Sequence, residues 1–160
     1  TGGAFVRVNV HTGTRATDQG LLEGRAHETL RLRERLDTDV AILADVAVKH
    51  SGAVSDRDLS RLARETVDRG LADGLVASGP ATGEPADDDR LRAVLDGRDD
   101  ATRQVPVLVG SGVTSTNAAD LLDLANGLVV GTALKRSGET TAPVEPERVR
   151  ALVEAAGRNR

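Results

Sequence analysis

The stretch LADVAVKHSG, residues 43–52, alternates in the manner of a β-strand running into a loop. Leu43, Asp45, Ala47 and Lys49 share one face, and Ala44, Val46, Val48 and His50 the other. One face of an otherwise apolar strand therefore carries a carboxylate and an ammonium. Burying either charge unpaired is costly, so that face must be paired, wet, or both. In an open sheet covered by helices on both sides a central strand has two apolar faces. In a barrel one face looks into the lumen, and lumen residues near the C-terminal rim are polar because ligands bind there.

The rest of the chain supports the barrel. Five apolar runs read as strands: FVRVNV (5–10), VAILADVAVK (40–49), GLVAS (74–78), VPVLVGS (105–111) and GLVVGT (127–132). Helical periodicity is expected over 21–36, from the Ser55-Asp56-Arg57-Asp58 start to about Arg69 with Gly70 as the stop, and over 87–95, 115–124 and 146–156. Strict β-α alternation implies a parallel sheet with right-handed crossovers. That fits a doubly wound sheet or part of a (β/α)8 barrel. The first run repeats the pattern of the second: Phe5, Arg7 and Asn9 lie opposite Val6, Val8 and Val10. Arg7 is therefore expected to pair with Asp45 across neighbouring strands, with Asn9 and Lys49 pointing to the rim.

Composition narrows the function. The 160 residues suit one domain, and with a single Phe5 and no Trp or Tyr the core must be Val, Leu, Ile and Ala. A net charge of -4 without a basic block argues against a nucleic-acid partner. The absence of cysteine excludes disulfides, thiolate metal sites and a cysteine nucleophile. No apolar run approaches the ~20 residues of a membrane span. The sequence has no Met and enters a strand at residue 5. It reads as the interior of a larger protein, with any targeting signal out of view.

The clearest chemical signal is VPVLVGSGVTSTNAADLL, residues 105–122. A strand runs into Gly110-Ser111-Gly112 and then a helix start, where free amides and the helix dipole favour an anion. The next strand ends in Gly131-Thr132. Loops after the last two strands of a barrel commonly share a phosphate site. Each feature has a plainer reading: a tight turn at Gly110–Gly112, close helix packing at Gly131, a solvated helix lysine at Lys135. Asp45 and Lys49 are the catalytic candidates, as base and as acid or electrophile, with Asn9 beside them. The alternative is a lumenal ion-pair layer with Arg7. His11 and His50 follow strand ends and read as substrate contacts or loop histidines. Asp18, in the TDQG loop, binds substrate or a divalent ion, or caps the following helix. Ser78, Gly79, Thr82 and Gly83 form a rim loop suited to a lid. No spacing of His and carboxylates specifies a metal, no cofactor is expected, and a Mg²⁺ accompanying phosphate has no support.

FVRVNV, TDQG (17–20), LADVAVKH (43–50), SGPATG (78–83), VLVGSGVTSTN (108–117) and GLVVGTALKRSG (127–138) together resemble the BtpA/SgcQ family, in order and over nearly the whole chain. The resemblance implies a ribulose-phosphate-binding type of TIM barrel, of which this chain is the last five βα units, strands 4–8. It implies a cytoplasmic enzyme acting on a small phosphorylated metabolite, its reaction an isomerase, lyase or transferase step. A cyanobacterial member is associated with assembly of photosystem I, so a non-catalytic assembly factor is the competing expectation. Three absent strands would leave two open sheet edges, to be covered by a second copy or a complementing N-terminal segment. A split product without function of its own is the remaining possibility.

Overall fold

Alternating strands and amphipathic helices can bury their apolar faces only against one another, and the chain does so in a single parallel sheet. The computed structural model describes residues 2–47, 51–54, 57–79 and 88–157. In order come β1 (Phe5–Val8), β2 (Thr14–Thr17), β3 (Gly20–Glu23), α1 (Ala26–Arg35), β4 (Ala41–Val46), β5 (Gly52–Ala53) and α2 (Leu59–Asp68). Then follow β6 (Gly74–Ser78), α3 (Asp88–Asp99), β7 (Val107–Gly110), α4 (Ala118–Leu124), β8 (Gly127–Val129), two short 3-10 turns and α5 (Pro146–Gly157). The main sheet has the order β1-β4-β6-β7-β8, all neighbours parallel. Strand order follows chain order without reversal. A doubly wound sheet needs a reversal, so the five strands are a curled half-barrel with its helices on one side.

The register explains the two faces. Ala44 and Val46 of β4, Leu75 and Ala77 of β6, and Val107 and Val109 of β7 point to the helices. They pack with Ala63 and Val67 of α2, Leu91 and Val94 of α3, and Ala118 and Leu121 of α4. Removing each larger side chain from water contributes about 2 kcal/mol. The opposite face carries Arg7, Asp45, Val76, Ser78 and Gly110. Cα pairing places Asp45 beside Val76, Val76 beside Leu108, and Ser78 beside Gly110. The outer elements are less covered: Phe5 and Val6 on edge strand β1 and Leu36 after α1 are exposed, and α1 and α5 bury no residue.

Several local expectations need correction. The segment 14–23 is a hairpin, not the start of a helix, and α1 begins only at Ala26 with Arg25 as its N-cap. Leu21 and Leu22, which suggested a helical stripe, are exposed strand residues. The β2–β3 turn is tied by Thr17, whose Oγ1 donates to the Gly20 carbonyl at 2.9 Å. With β5 the hairpin forms a small antiparallel sheet at the C-terminal rim. Helix α2 starts as its composition suggests: Asp58 accepts from the Arg61 N–H at 2.7 Å. At its other end Gly70 does not supply the left-handed residue; Leu71 does, at φ 53°. Gly70 is small because a Cβ there would lie 2.6 Å from the Thr66 carbonyl oxygen and 2.7 Å from Thr12 Cγ2.

Helix α2 also sets an acid limit on stability. Hydrogen bonding from Arg61 holds the Glu65 carboxyl below its ordinary pKa, with Arg57, Arg61 and Arg69 adding charge attraction. Thr102 holds Asp68 down through its hydroxyl and its N–H, at 2.7 and 2.8 Å. Depressed carboxyls stabilise the fold above their unfolded values, and that contribution is lost as pH falls through the folded ones. Stability is therefore expected to decline from about pH 4.5 downward, with a shallower slope in Glu65→Gln and Asp68→Asn. Urea melts across that range check it; an unchanged slope in both variants would assign the acid loss elsewhere.

Candidate binding cleft at the strand C-termini

Arg7 leaves β1 one layer below Asp45 and reaches up to it. Its Nε donates to Asp45 Oδ2 at 2.8 Å and its Nη2 to Oδ1 at 2.7 Å, a two-point fork. Ser78 Oγ donates to the same Oδ1 at 3.0 Å and accepts from Arg7 Nη2 at 3.4 Å. The Asp45 side chain has no solvent exposure, whereas Arg7 keeps 34%. The bond from Asp45 raises the Arg7 pKa against the opposing effect of burial. The expected cross-strand pair is thus present, with Ser78 as a third member. Gly110 packs closely beside it: a Cβ there would stand 3.0 Å from Val76 Cγ1 and 3.3 Å from Ser78 Oγ.

Above this network lies a cleft of about 300 Å³. Ser111, Gly112 and Thr114 from the loop after β7 line it, with Gly131 and Thr132 from the loop after β8 and Arg7 at the base. The two glycine loops identified in the sequence therefore face one space. Ser111 and Gly112 both have positive φ, 81° and 66°. For serine that conformation costs about 1 kcal/mol. Gly131 does not serve helix packing, because a Cβ there would meet nothing within 4 Å.

The helix after β7 starts later than expected. It runs Ala118–Leu124, three residues beyond the Ser115 start, so its N-terminus does not directly follow Gly112. Asn117 bridges the interval. Its Oδ1 accepts from the Thr114 N–H at 2.8 Å, and its Nδ2 donates to the Gly112 carbonyl at 3.0 Å. Sequence reasoning passed over this residue, although an Asn ending a Ser/Thr run before a helix is a turn signal.

Other candidates are scattered. Asn9 is exposed just past β1, and Asp18 is exposed in the β2–β3 turn, far from any helix start it could cap. His11 is buried, and its Nε2 lies 2.8 Å from the Gly70 carbonyl, so Nε2 carries the proton and donates. Its Nδ1 is buried without a partner among the described residues. His11 thus packs against the chain after α2 and does not line the cleft. Gly79 is buried directly after β6. Lys49, His50, Thr82 and Gly83 lie outside the described residues. Among the described residues no three His, Asp or Glu side chains gather as a metal would need, and no helix is long and apolar enough to cross a membrane.

A parallel, sequentially ordered half-barrel with its cleft at the strand C-termini defines an α/β protein of the TIM-barrel type. A solved Schiff-base-forming fructose-1,6-bisphosphate aldolase shares this fold, with a TM-score of 0.54 and 18% identity over 97% of this chain and 59% of its own. The chain belongs to the BtpA family, whose model matches residues 1–158. It is 46% identical over 154 residues to a Synechocystis protein named photosystem I biogenesis protein BtpA, covering 96% of this chain and 52% of that one. It is also 46% identical to an uncharacterized Thermococcus kodakarensis protein, covering 95% and 56%. The chain thus spans about half the length of these curated relatives.

Proposed function

We propose that the protein is part of a cytoplasmic barrel enzyme that binds the phosphate of a small metabolite in the cleft between the β7 and β8 loops. The supporting observation is that loops from two consecutive strands and one arginine line the same space. Arg7 supplies the charge. Asp45 acts as its positioning residue and not as a general base, since both carboxylate oxygens are already engaged by Arg7 and Ser78. Ser111 and Thr132 offer hydroxyls, and Gly112 and Gly131 let a phosphate approach the backbone.

A thermal melt of the chain with inorganic phosphate and a panel of sugar phosphates tests this. Ligand at 100 times its Kd stabilises by about 2.7 kcal/mol, a rise of several degrees for a chain of this size. The rise is expected to vanish in Ser111→Asp, which places a carboxylate where the phosphate would lie. Gly131→Ala is expected to keep the melting temperature of the free protein and to weaken the ligand response, because its methyl meets no protein atom. A cooperative melt indifferent to all ligands would sink the phosphate reading. It would favour the second one, an assembly factor, which rests on the printed name of the Synechocystis relative.

A further inference from the structure

The loop after β7 has a strained backbone, and one side chain holds it in shape. Ser111 and Gly112 both lie in the left-handed region, at φ 81° and 66°. Glycine takes that conformation freely; serine does not. A strained residue of this kind persists only where its surroundings fix it, and such residues gather at ligand clamps. The two residues are flanked by buried neighbours, Gly110 and Val113. Between those anchors the Gly112 carbonyl accepts from Asn117 Nδ2 at 3.0 Å. Just beyond them the Thr114 N–H donates to Asn117 Oδ1 at 2.8 Å. Asn117 occupies the N-cap position of α4, yet its side chain makes no capping hydrogen bond to that helix. Both polar atoms of its amide are committed to the loop.

The bridge needs a donor and an acceptor on one short, uncharged stem, which asparagine has. An aspartate would set a carboxylate oxygen against the Gly112 carbonyl and a negative charge near the cleft. Ser111, Gly112, Val113 and Thr114 all line that cleft, so the shape that Asn117 fixes is the shape a ligand meets. We propose that Asn117 is the positioning residue of the cleft. It keeps the backbone of Ser111 and Gly112 in the conformation that receives an oxyanion, without touching the oxyanion itself. This role rests on the phosphate reading above. Released from Asn117, Ser111 relaxes toward ordinary backbone angles, and the ligand must restore the loop on binding. Apparent affinity then falls in proportion to the time the loop is competent.

Two variants keep the test independent of folding. Asn117→Leu is close in size and removes both bonds. Asn117→Ser carries one polar atom on a shorter stem, so it cannot bridge Thr114 and Gly112. Serine is as good an N-cap as asparagine, and the melting temperature of Asn117→Ser is expected within about 3 °C of the parent chain. In calorimetric titration, inorganic phosphate is expected to bind each variant about tenfold more weakly than the parent, as for a loop competent about a tenth of the time. Backbone amide order parameters at residues 112–114 of the ligand-free chains are expected to fall from about 0.85 to below about 0.6. A residue serving only the start of α4 would leave them unchanged. Order parameters unchanged in both variants would overturn the inference, whether or not phosphate binds. So would affinity that survives the loss of loop order, and the phosphate reading would then stand. A parent chain that binds no phosphate overturns that reading, and the binding role of Asn117 with it, before any variant is made.

Discussion

Replacing Arg7 by Met is expected to destabilise the protein by about 3 kcal/mol in urea melts at pH 7. The substitution leaves the solvent-shielded Asp45 carboxylate with the Ser78 hydroxyl as its one side-chain donor among the described residues. An unpaired buried charge is worth more in lost stability than the intact pair contributes. The effect belongs at the lower end of the range for buried pairs because Arg7 itself keeps a third of its side chain in water. The control is the double variant Arg7→Met/Asp45→Leu. It removes both charges and fills the space with carbon, so most of the stability should return. A loss below about 0.5 kcal/mol in the single variant would mean that water reaches Asp45. The same single variant is expected to abolish phosphate binding. The double variant should not restore it, which separates the structural role of the pair from Arg7's role as a cation.

Gly97→Val is expected to cost a similar amount, about 3 kcal/mol, from the other side of the sheet. Gly97 lies within α3 where that helix crosses α2. A Cβ there would run into the Ser60 carbonyl oxygen, with Ser60 C at 2.7 Å and Ala63 Cβ at 2.9 Å. Backbone atoms of a packed helix cannot swing aside as a long side chain can, so the helices must separate. Helix propensity argues the opposite sign, since an alanine at a helical glycine gains about 1 kcal/mol. Gly97→Ala therefore decides between the two effects, and the packing should win with a net loss. A gain in Gly97→Ala would show that α2 and α3 shift apart readily. The core they share with β4, β6 and β7 would then be softer than its burial suggests.

Much of the barrel could be read from the chain because the signals are local or periodic. The polar residues Asp45 and Arg7 on one face of their strands required a face that is not greasy, and the register places them together. The runs at 74–78 and 146–156 were found nearly to the residue, since Gly, Pro and apolar periodicity mark their ends. The two glycine loops stood out in the sequence from their composition, and they line one cleft. Other features were not legible. The 14–17 and 20–23 hairpin was hidden because Leu21 and Leu22 fit a helical stripe equally well; antiparallel pairing with Ala16 and Arg15 of β2 is what makes them strand residues. His11 looked like a rim ligand by position, yet a hydrogen bond to Gly70, far along the chain, buries it.

The sequence by itself determined the alternation of strands and helices, the parallel sheet, the polar lumen face and the positions of the glycine loops. These follow from the period of apolar residues and from backbone chemistry at single positions. Only the tertiary structure decided that Arg7 and Ser78 engage both oxygens of Asp45, that Asn117 ties the β7 loop, and that His11 is buried against Gly70. Each of those depends on distances between residues remote in sequence, which curvature and crossover geometry set and no local pattern encodes.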